Sequence, residues 1–224
     1  MSKVITALKA QKRNKQRVSV YLDGEYAFGL SRIVAAWLQV GQELDEQKIN
    51  ELQQEDGSEV AYQRALNFLS YRPRSEHEVI ANLRKHETSQ EDIDIVLGKL
   101  RRSNLVNDSD FAKLWVENRS EFRPRGRFAL RVELRQKGVA DDTIEAAIEN
   151  IEEETLAYRA ADKKAGKLKD LPWLDFRKKM SGFLSRRGFS YGIISSVVPR
   201  VWESLKHTIV EDELDLEEAS EVLK

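Results

Sequence analysis

Three arginines follow one another at intervals of four residues in the second half of the chain, at Arg127, Arg131 and Arg135. In an α-helix this i, i+4, i+8 spacing places the three side chains on one face. Leu130 and Leu134 lie beside them in the sequence and are expected to face inward. Guanidinium groups in a row can bind phosphate oxygens or carboxylates. The chemistry that this spacing predicts is the recognition of a polyanion.

Cations recur at related positions before and after this row. A solvated face is the more common explanation of any single arginine, whereas the recurrence of the whole set favours contact with a partner. Phosphate contacts of this kind would weaken steeply with salt because counterions are released on binding. If helical modules stack side by side, the cations align into one basic stripe. The predicted binding residues are Arg72, Arg74, Arg84, Lys85, Arg123, Arg125, Arg127, Arg131, Arg135, Arg177, Lys178, Lys179, Arg186 and Arg187.

Residues typical of catalytic and metal sites form no comparable pattern. The chain has no cysteine, and its three histidines, His77, His86 and His207, lack the spacing of metal ligands. Carboxylates fall at predicted helix starts or in charge runs, and neither a phosphate-binding glycine loop nor a Gly-x-Ser-x-Gly motif occurs. Trp115 and Trp202 stand beside Leu and Val, which predicts core packing rather than stacking on bases. We therefore expect a protein that is not an enzyme and needs no metal or other cofactor.

The sequence also carries predictions about the environment of the protein. Its first residues lack the apolar core of a signal peptide, and no run approaches the roughly 20 apolar residues of a membrane span. The absence of cysteine gives no reason to expect an oxidising compartment. We expect a soluble, cytoplasmic monomer that makes no membrane contact.

The net charge of −1 conceals blocks of opposite sign. Counting Lys and Arg against Asp and Glu gives +4 for residues 1–30, −5 for 31–60, +1 for 61–108, +4 for 109–137, −7 for 138–156, +8 for 157–207 and −6 for 208–224. The total charge therefore predicts nothing about a polyanionic partner, whereas the basic blocks can bind one.

The chain contains a tandem repeat with a period of about 50 residues. The segment 72–75, Arg-Pro-Arg-Ser, recurs 51 positions later as 123–126, Arg-Pro-Arg-Gly. A weaker third copy places Gly188 50 residues after Gly138. A period of this length with helical spacing inside each copy is typical of stacked helical modules.

Each copy is predicted to contain three short helices. Ser75 and Glu78 have the spacing of a capping box at a helix start, and Gly138 and Gly188 stand where a left-handed residue would end a helix. The predicted helices are residues 59–71, 76–85 and 90–102 in the first copy, 110–122, a helix that begins after Pro124 and runs to Lys137, and 141–152 in the second, and 155–168, a helix ending at 188, and 191–207 in the third.

The first 60 residues lie outside the repeat and begin with β-prone runs. Residues 18–22 and 25–30 are joined by Asp23-Gly24, a dipeptide suited to a tight hairpin turn. Residues 4–8 predict a third strand, with 11–16 as a basic connecting loop. The expected result is a three-stranded antiparallel meander.

Short helices are predicted after these strands. Ser31 would cap a helix that runs through Trp37 and ends at Gly41, and Asp45 would begin another that runs to about Gln54. Residues 55–58, Glu-Asp-Gly-Ser, are predicted to be a linker.

These elements together predict a mainly α fold in which tandem three-helix repeats follow a small N-terminal α+β part. The long surface of such a body, rather than one pocket, would carry the function. The predicted segments are 1–56 for the meander and short helices, 57–108, 109–154 and 155–207 for the three repeats, and 208–224 for an acidic C-terminal tail.

An ordered series of short motifs runs from residue 65 to residue 144. Its members are residues 65–75 with Glu78 and Leu83, then 105–108, 111–112, 115–119, 124–126, Leu130, 133–138 and Ile144. This series resembles the RecX family. The resemblance is clear over residues 60–150 and looser over the third repeat, and the strand-bearing N-terminus resembles the extension of longer family members.

RecX proteins regulate the RecA recombinase. The resemblance implies an elongated, curved helical body that docks in the groove of a RecA–DNA filament and limits filament growth, strand exchange and ATP turnover in DNA repair. The implied partners are the RecA filament and DNA, the latter bound through the filament or directly with weak affinity. The chain departs from the family pattern at His86-Glu87, where a Lys-Gly pair is typical, and in its long acidic tail.

Two other functions fit the same residues. One is a general nucleic-acid-binding helical repeat protein without a recombinase partner. The other is a scaffold that joins two proteins through its tail and its N-terminal strands while the basic faces are only solvated. The tail, with a charge of −6 beside a block of +8, is also predicted to fold back and compete for the basic face.

Overall fold

A computed structural model of the chain describes the backbone of residues 2–222 and the side chains of residues 2–207. The chain divides into two units, residues 1–107 and 108–224. The first unit holds the N-terminal sheet and one three-helix repeat, and the second holds two further repeats.

The N-terminal sheet has four antiparallel strands in the order β3-β2-β1-β4. The strands are β1 (Lys3–Ala10), β2 (Arg17–Leu22), β3 (Glu25–Ser31) and β4 (Glu43–Leu44). Asp23 and Gly24 both have positive φ, 50° and 93°, as the predicted hairpin turn requires. The three-stranded meander is confirmed. Sequence patterns missed β4 because two residues carry no periodicity.

The segment after β3 differs from the predicted helix at Ser31. Only Val34–Trp37 is helical, as one 3-10 turn, and the Ser31 hydroxyl oxygen accepts a 3.4 Å hydrogen bond from the Val34 N–H. Gly41 has φ +90°, and its N–H donates to the Ile5 carbonyl, so the chain turns back to β1 at the predicted place.

Helix α1 is one continuous helix, Glu46–Leu69, capped by Asp45. The predicted linker at residues 55–58 is wrong, because these residues lie inside α1. Asp56 is buried, its carboxylate accepting hydrogen bonds from Arg17 Nη2 at 2.8 Å and from the Ser31 N–H at 2.5 Å. Ser58 is buried too and donates to an Asp92 carboxylate oxygen. Tertiary partners therefore override the local preference of Asp, Gly and Ser for loops.

Helices α2 (Glu76–Lys85) and α3 (Gln90–Arg102) complete the first repeat with the bounds that the sequence predicts. The Ser75 side chain accepts a 3.2 Å hydrogen bond from the Glu78 N–H, as expected for an N-cap. Val79 and Leu83 of α2 pack with Ile93 and Leu100 of α3 as fully buried residues. Burial of each such side chain stabilises the fold by about 1.5–3 kcal/mol.

The second unit contains helices α4 to α9. Their bounds are α4 (Asp108–Phe122), α5 (Arg127–Gln136), α6 (Asp141–Ile148), α7 (Glu153–Ala165), α8 (Trp173–Arg186) and α9 (Tyr191–Val222). Gly138 and Gly188 have φ of +76° and +83°, so the predicted helix-ending glycines after α5 and α8 are confirmed. Trp115 and Trp202 pack against the two cores of this unit, as expected.

Three helix ends of the second unit differ from the prediction by three residues or more, and the others by no more than two. α6 ends at Ile148 rather than near residue 152, and the last turn predicted for α7 is a 3-10 turn, Gly166–Leu168. α9 continues past the predicted end at His207 to Val222. The side chains of the predicted acidic tail, residues 208–224, lie outside the described residues, as does its predicted folding back.

We expect Asp56→Ala to lower the free energy of unfolding of the chain by about 1–3 kcal/mol, because it removes the carboxylate that accepts hydrogen bonds from the Ser31 N–H and the Arg17 guanidinium and leaves Arg17 only the Gly29 carbonyl. Urea denaturation followed by circular dichroism measures the change. Glu55→Ala, at the exposed neighbouring position of the same helix, should change stability by no more than about 0.5 kcal/mol. Equal effects of the two substitutions would contradict the role of the Asp56 contacts.

Candidate interaction surface

The two repeats of the second unit, module 2 (α4–α6) and module 3 (α7–α9), meet through backbone at two glycines. Gly126 precedes α5, and its N–H donates to the Arg187 carbonyl at 2.9 Å. A Cβ on Gly126 would lie 2.2 Å from the Gly188 carbonyl oxygen, and one on Gly188 would lie 2.5 Å from the Ala129 Cβ. Arg187 also donates through Nη1 to the Pro124 carbonyl at 3.0 Å. The modules are therefore joined by a contact that admits no side chain.

The row of arginines on α5 does share one helix face, and that face is turned toward α6 and the start of α7. Arg131 donates to both carboxylate oxygens of Glu145, at 2.5 and 2.7 Å, and Arg135 donates to Asp141 at 2.7 Å. Arg127 Nη2 donates to two carbonyls of the segment between α6 and α7, both at 3.1 Å. We call these three residues the arginine ladder. Its members bind acceptors within the second unit.

The ion pairs of the ladder lower the pKa values of Glu145 and Asp141. The hydrogen bond from Arg131 is the main cause that holds the pKa of Glu145 below its usual value, and the hydrogen bond from Arg135 does the same for the pKa of Asp141. Arg131 and Arg135 keep 34% and 57% of their side-chain surface exposed. Exposed pairs of this kind contribute little to stability, and their guanidinium groups can exchange a carboxylate for a phosphate.

The predicted arginines of the first repeat are also engaged locally. Arg72 forms a two-pronged pair with Glu78 at 2.8 and 3.0 Å, and Arg74 lies over the Phe68 ring at 4.0 Å. Burial lowers the pKa of Arg74. Arg84 donates to the Gln90 side chain, whereas Lys85 is exposed.

A different set of cations has no acidic partner. Arg123, Arg177, Lys178, Lys179 and Arg186 are exposed, and none of them forms an ion pair within the residues whose side chains are described. Four of the five lie on α8, and three of these, Lys178, Lys179 and Arg186, line a groove of ≈ 480 Å³ between α7 and α8. The residues lining this groove are Lys164, Leu168, Asp175, Lys178, Lys179, Gly182, Phe183 and Arg186.

The end of α7 and the 3-10 turn that follows it add three lysines to this region, which the sequence-based list of binding residues missed. Lys163, Lys164 and Lys167 line a neighbouring pocket of ≈ 170 Å³ together with Arg187 and Phe122. Their one-turn spacing inside the block of charge +8 was the available signal. We call the combined surface the α7–α8 basic face. It consists of Lys163, Lys164, Lys167, Lys178, Lys179 and Arg186.

A cluster of like charges lies at the glycine junction. Burial is the main cause that lowers the pKa of Arg187, and the positive charges of Arg125 and Arg123 lower it further. Arg187 stacks on the Phe183 ring at 4.5 Å. Arg125 Nε lies 3.4 Å from Glu133 without forming a hydrogen bond, so this acid, which also binds Arg119 at 2.6 Å, neutralises the cluster only in part. A bound anion would relieve the repulsion.

Within the described residues no group of His, Cys, Asp and Glu side chains could hold a metal ion. The helices of the same part of the chain include none that is long and apolar enough to cross a bilayer.

Four family models match successive parts of the chain. They are described as the RecX N-terminal domain, residues 3–45, and the first, second and third three-helix domains of RecX, residues 61–100, 107–148 and 152–198. Curated relatives share the name Regulatory protein RecX. The one from Bacillus subtilis is 36% identical over 202 residues, 88% of this chain and 76% of the relative. The one from Limosilactobacillus reuteri is 31% identical over 224 residues, 98% of this chain and 81% of the relative.

Solved structures agree with the sequence comparisons. A crystal structure of regulatory protein RecX superposes with a TM-score of 0.70 at 30% identity, over 87% of this chain and 98% of the other. The crystal structure of RecX from Lactobacillus salivarius gives a TM-score of 0.59 at 26% identity, over 66% of this chain and 97% of the other.

We expect Gly126→Ala to lower the stability of the second unit by about 1–3 kcal/mol or more, since the new methyl group collides with backbone that cannot rotate away. Thermal and urea denaturation measure the loss. Gly192→Ala is the matched control because nothing lies within 4 Å of the added Cβ, and the residue is in a helix that alanine favours. A loss as large in the control would rule out a special role for the junction.

We expect Arg131→Gln to raise the pKa of Glu145 toward its ordinary value, because it removes the main hydrogen-bond donor. NMR titration of the side-chain carboxyl carbons measures the shift. Arg135→Gln should move the pKa of Glu145 less, because Arg135 acts on that carboxylate only through its charge. The folded-state pKa of Glu145 is depressed, so its stabilising contribution is present above the unfolded pKa of about 4.3 and is lost as the pH falls through the folded value.

Proposed function

Because the chain belongs to the RecX family of regulatory proteins, we propose that it binds the RecA–DNA filament in the cytoplasm and lowers the recombinase and ATPase activity of RecA during DNA repair. The observation that carries the proposal is the α7–α8 basic face, where cations that form no ion pair with any described side chain line grooves on module 3. A nucleoprotein filament offers both phosphates and acidic side chains to such a surface.

The arginines divide into two roles in this proposal. The arginine ladder holds α5 against α6, and its ion pairs have to open before it can bind a partner. Within the described side chains the α7–α8 basic face needs no such exchange, and in the cluster of Arg123, Arg125 and Arg187 only Arg125 has an acid nearby, Glu133 at 3.4 Å. Contact with the filament is therefore assigned first to module 3 and the junction, and only second to the ladder.

A surface of this kind can regulate without catalysis. A protein that binds one state of an assembly more tightly than another shifts the assembly toward that state. The glycine junction fixes the positions of the cations before binding, so less conformational entropy is lost on contact. Occupation of the filament by the chain would then slow filament growth and ATP turnover.

The second candidate is a general nucleic-acid-binding protein without a recombinase partner. The observation in its favour is that exposed cations beside a groove can bind phosphates of any nucleic acid. It predicts direct DNA affinity as strong without RecA as with it, and no effect on RecA.

We expect the purified chain to lower the DNA-dependent ATPase rate of RecA and to sediment with RecA–DNA filaments, with binding that weakens as salt rises. The triple variant Lys178→Glu, Lys179→Glu, Arg186→Glu should require about tenfold more protein for the same effect, because three contacts become repulsive. Reversing Lys3, Arg102 and Lys113, which are exposed, lie outside the proposed surface and form no ion pair with the described side chains, changes the net charge equally and should leave the effect intact.

Unchanged ATP turnover and no co-sedimentation of the native chain would refute the proposal. Strong DNA binding without any effect on RecA would favour the second candidate. A scaffold whose basic faces are only solvated predicts equal activity of both triple variants and the native chain. The ladder is less suited to this test, since reversing Arg131 and Arg135 also breaks their ion pairs with Glu145 and Asp141.

A further inference from the structure

The N-terminal sheet carries a basic surface that belongs to none of the helical repeats. The first 22 residues contain six Lys and Arg residues and no Asp or Glu. Lys12, Arg13 and Lys15 lie in the loop between β1 and β2, and Lys9 lies one residue before the end of β1. These cations are separate from the α7–α8 basic face.

The register of the sheet brings a fifth cation to the same end. Arg17 at the start of β2 pairs with Ser31 at the end of β3, so the residue after β3 lies beside the loop. This residue is Arg32, whose N–H donates to the Gln16 carbonyl at 2.8 Å. We call Lys9, Lys12, Arg13, Lys15 and Arg32 the basic tip.

The loop of the basic tip is held in one shape by its own hydrogen bonds. The Gln11 N–H donates to the Arg17 carbonyl at 2.9 Å, and the Arg17 N–H donates to the Asn14 carbonyl at 3.0 Å. The Asn14 side chain accepts from the Gln16 N–H at 3.0 Å. A loop closed in this way presents its cations without a large loss of entropy on binding.

The positive charge of the tip is not neutralised inside the protein. All five side chains are exposed, and within the described side chains none forms an ion pair. Asp56, the acid that meets the sheet at this end, is occupied by Arg17 and the Ser31 N–H.

The other acids of the sheet lie at its far end. Asp23 is in the β2–β3 turn and contacts the Val4 N–H at 3.0 Å, while Glu43 pairs with Val4. The strand length puts this end roughly 20 Å from the tip. The sheet is therefore electrically polarised along its strands.

The residue types of the tip indicate which kind of partner it binds: a membrane, a protein or a nucleic acid. Its loop, residues 11–16, contains only Gln, Asn, Lys and Arg. A membrane-binding loop needs apolar side chains to insert, and a protein interface is usually anchored by aromatic residues. Lys, Arg, Asn and Gln without such anchors are the residue types that contact phosphate and sugar. We propose that the basic tip of the N-terminal sheet is a second binding element, which grips the phosphodiester backbone of nucleic acid independently of the helical modules.

The test uses the full chain, a fluorescent 30-base-pair duplex and a 30-nucleotide single strand, with no RecA present. DNA affinity is measured by anisotropy titration at several salt concentrations. At low salt, the variant Lys12→Gln, Arg13→Gln, Lys15→Gln should bind DNA about tenfold more weakly than the native chain. The slope of log K against log salt should become shallower by about 2–3, because about one ion is released per lost contact.

Two further variants separate the tip from general charge. Lys3→Gln, Lys48→Gln, Lys113→Gln removes the same charge away from the tip and should keep the native slope. Lys12→Arg, Lys15→Arg keeps the charge and should bind like the native chain. Thermal denaturation of every variant checks that the sheet remains folded; the loop substitutions remove no hydrogen bond between backbone groups.

Equal slopes for the loop variant and the native chain would overturn the proposal, as would a loop variant that keeps its DNA affinity and loses binding only to phosphatidylglycerol vesicles. An equal loss in the charge-matched control would overturn it as well, because the effect would then be one of net charge. Since the assay contains no RecA, these outcomes are independent of whether the chain regulates the RecA filament.

Discussion

The close approach of Gly126 and Gly188 is the constraint on which the second unit depends. A side chain at either residue would collide with the backbone or side chain of the other module, so only glycine fits at both positions. The same approach brings the Gly126 N–H within 2.9 Å of its acceptor, the Arg187 carbonyl. The same contact carries the Arg187 side chain to the Pro124 carbonyl and so places it beside Arg123 and Arg125. The accumulation of positive charge at the junction is thus a consequence of how the two modules are joined.

The charge blocks of the second unit acquire a structural meaning from these contacts. The basic block at residues 109–137, of charge +4, is followed by an acidic block at 138–156, of charge −7. The arginine ladder, on α5 of the basic block, forms ion pairs with Glu145 and Asp141 of the acidic block. Glu154 of the acidic block pairs with Arg200 at 2.6 Å. The block of +8 at 157–207 contains only four acids of its own, and most of its cations form no ion pair with the side chains that the structure describes. Local neutralisation decides which basic residues remain available for an external anion.

The sequence predicted elements whose signals are local and missed those whose causes are distant. α2 and α3 have their predicted bounds because their signals are local. The Ser75 and Ser89 side chains directly before them accept hydrogen bonds from the first turn of each helix, and the apolar spacing lies within the helices themselves. Residues 55–58 were predicted to be a linker because their helix-stabilising partners, Arg17 and Asp92, are more than 30 positions away. The helical face of the ladder was predictable from spacing. That this face meets Glu145 and Asp141 was not, because it depends on how α6 packs.

The continuity of α1 changes how the N-terminal part is understood. A flexible linker would have made the sheet an independent domain, whereas a helix of 24 residues contributes Leu52 to the core of the sheet and Ala61 and Ala65 to the core of the first repeat. The contacts of Asp56 with β2 and β3, and of Ser58 with α3, clamp both ends of this connection. The sheet that carries the basic tip is therefore connected to the first repeat through packed side chains. An anion bound at the tip would therefore fix the orientation of the sheet, α1 and the first repeat together relative to that anion.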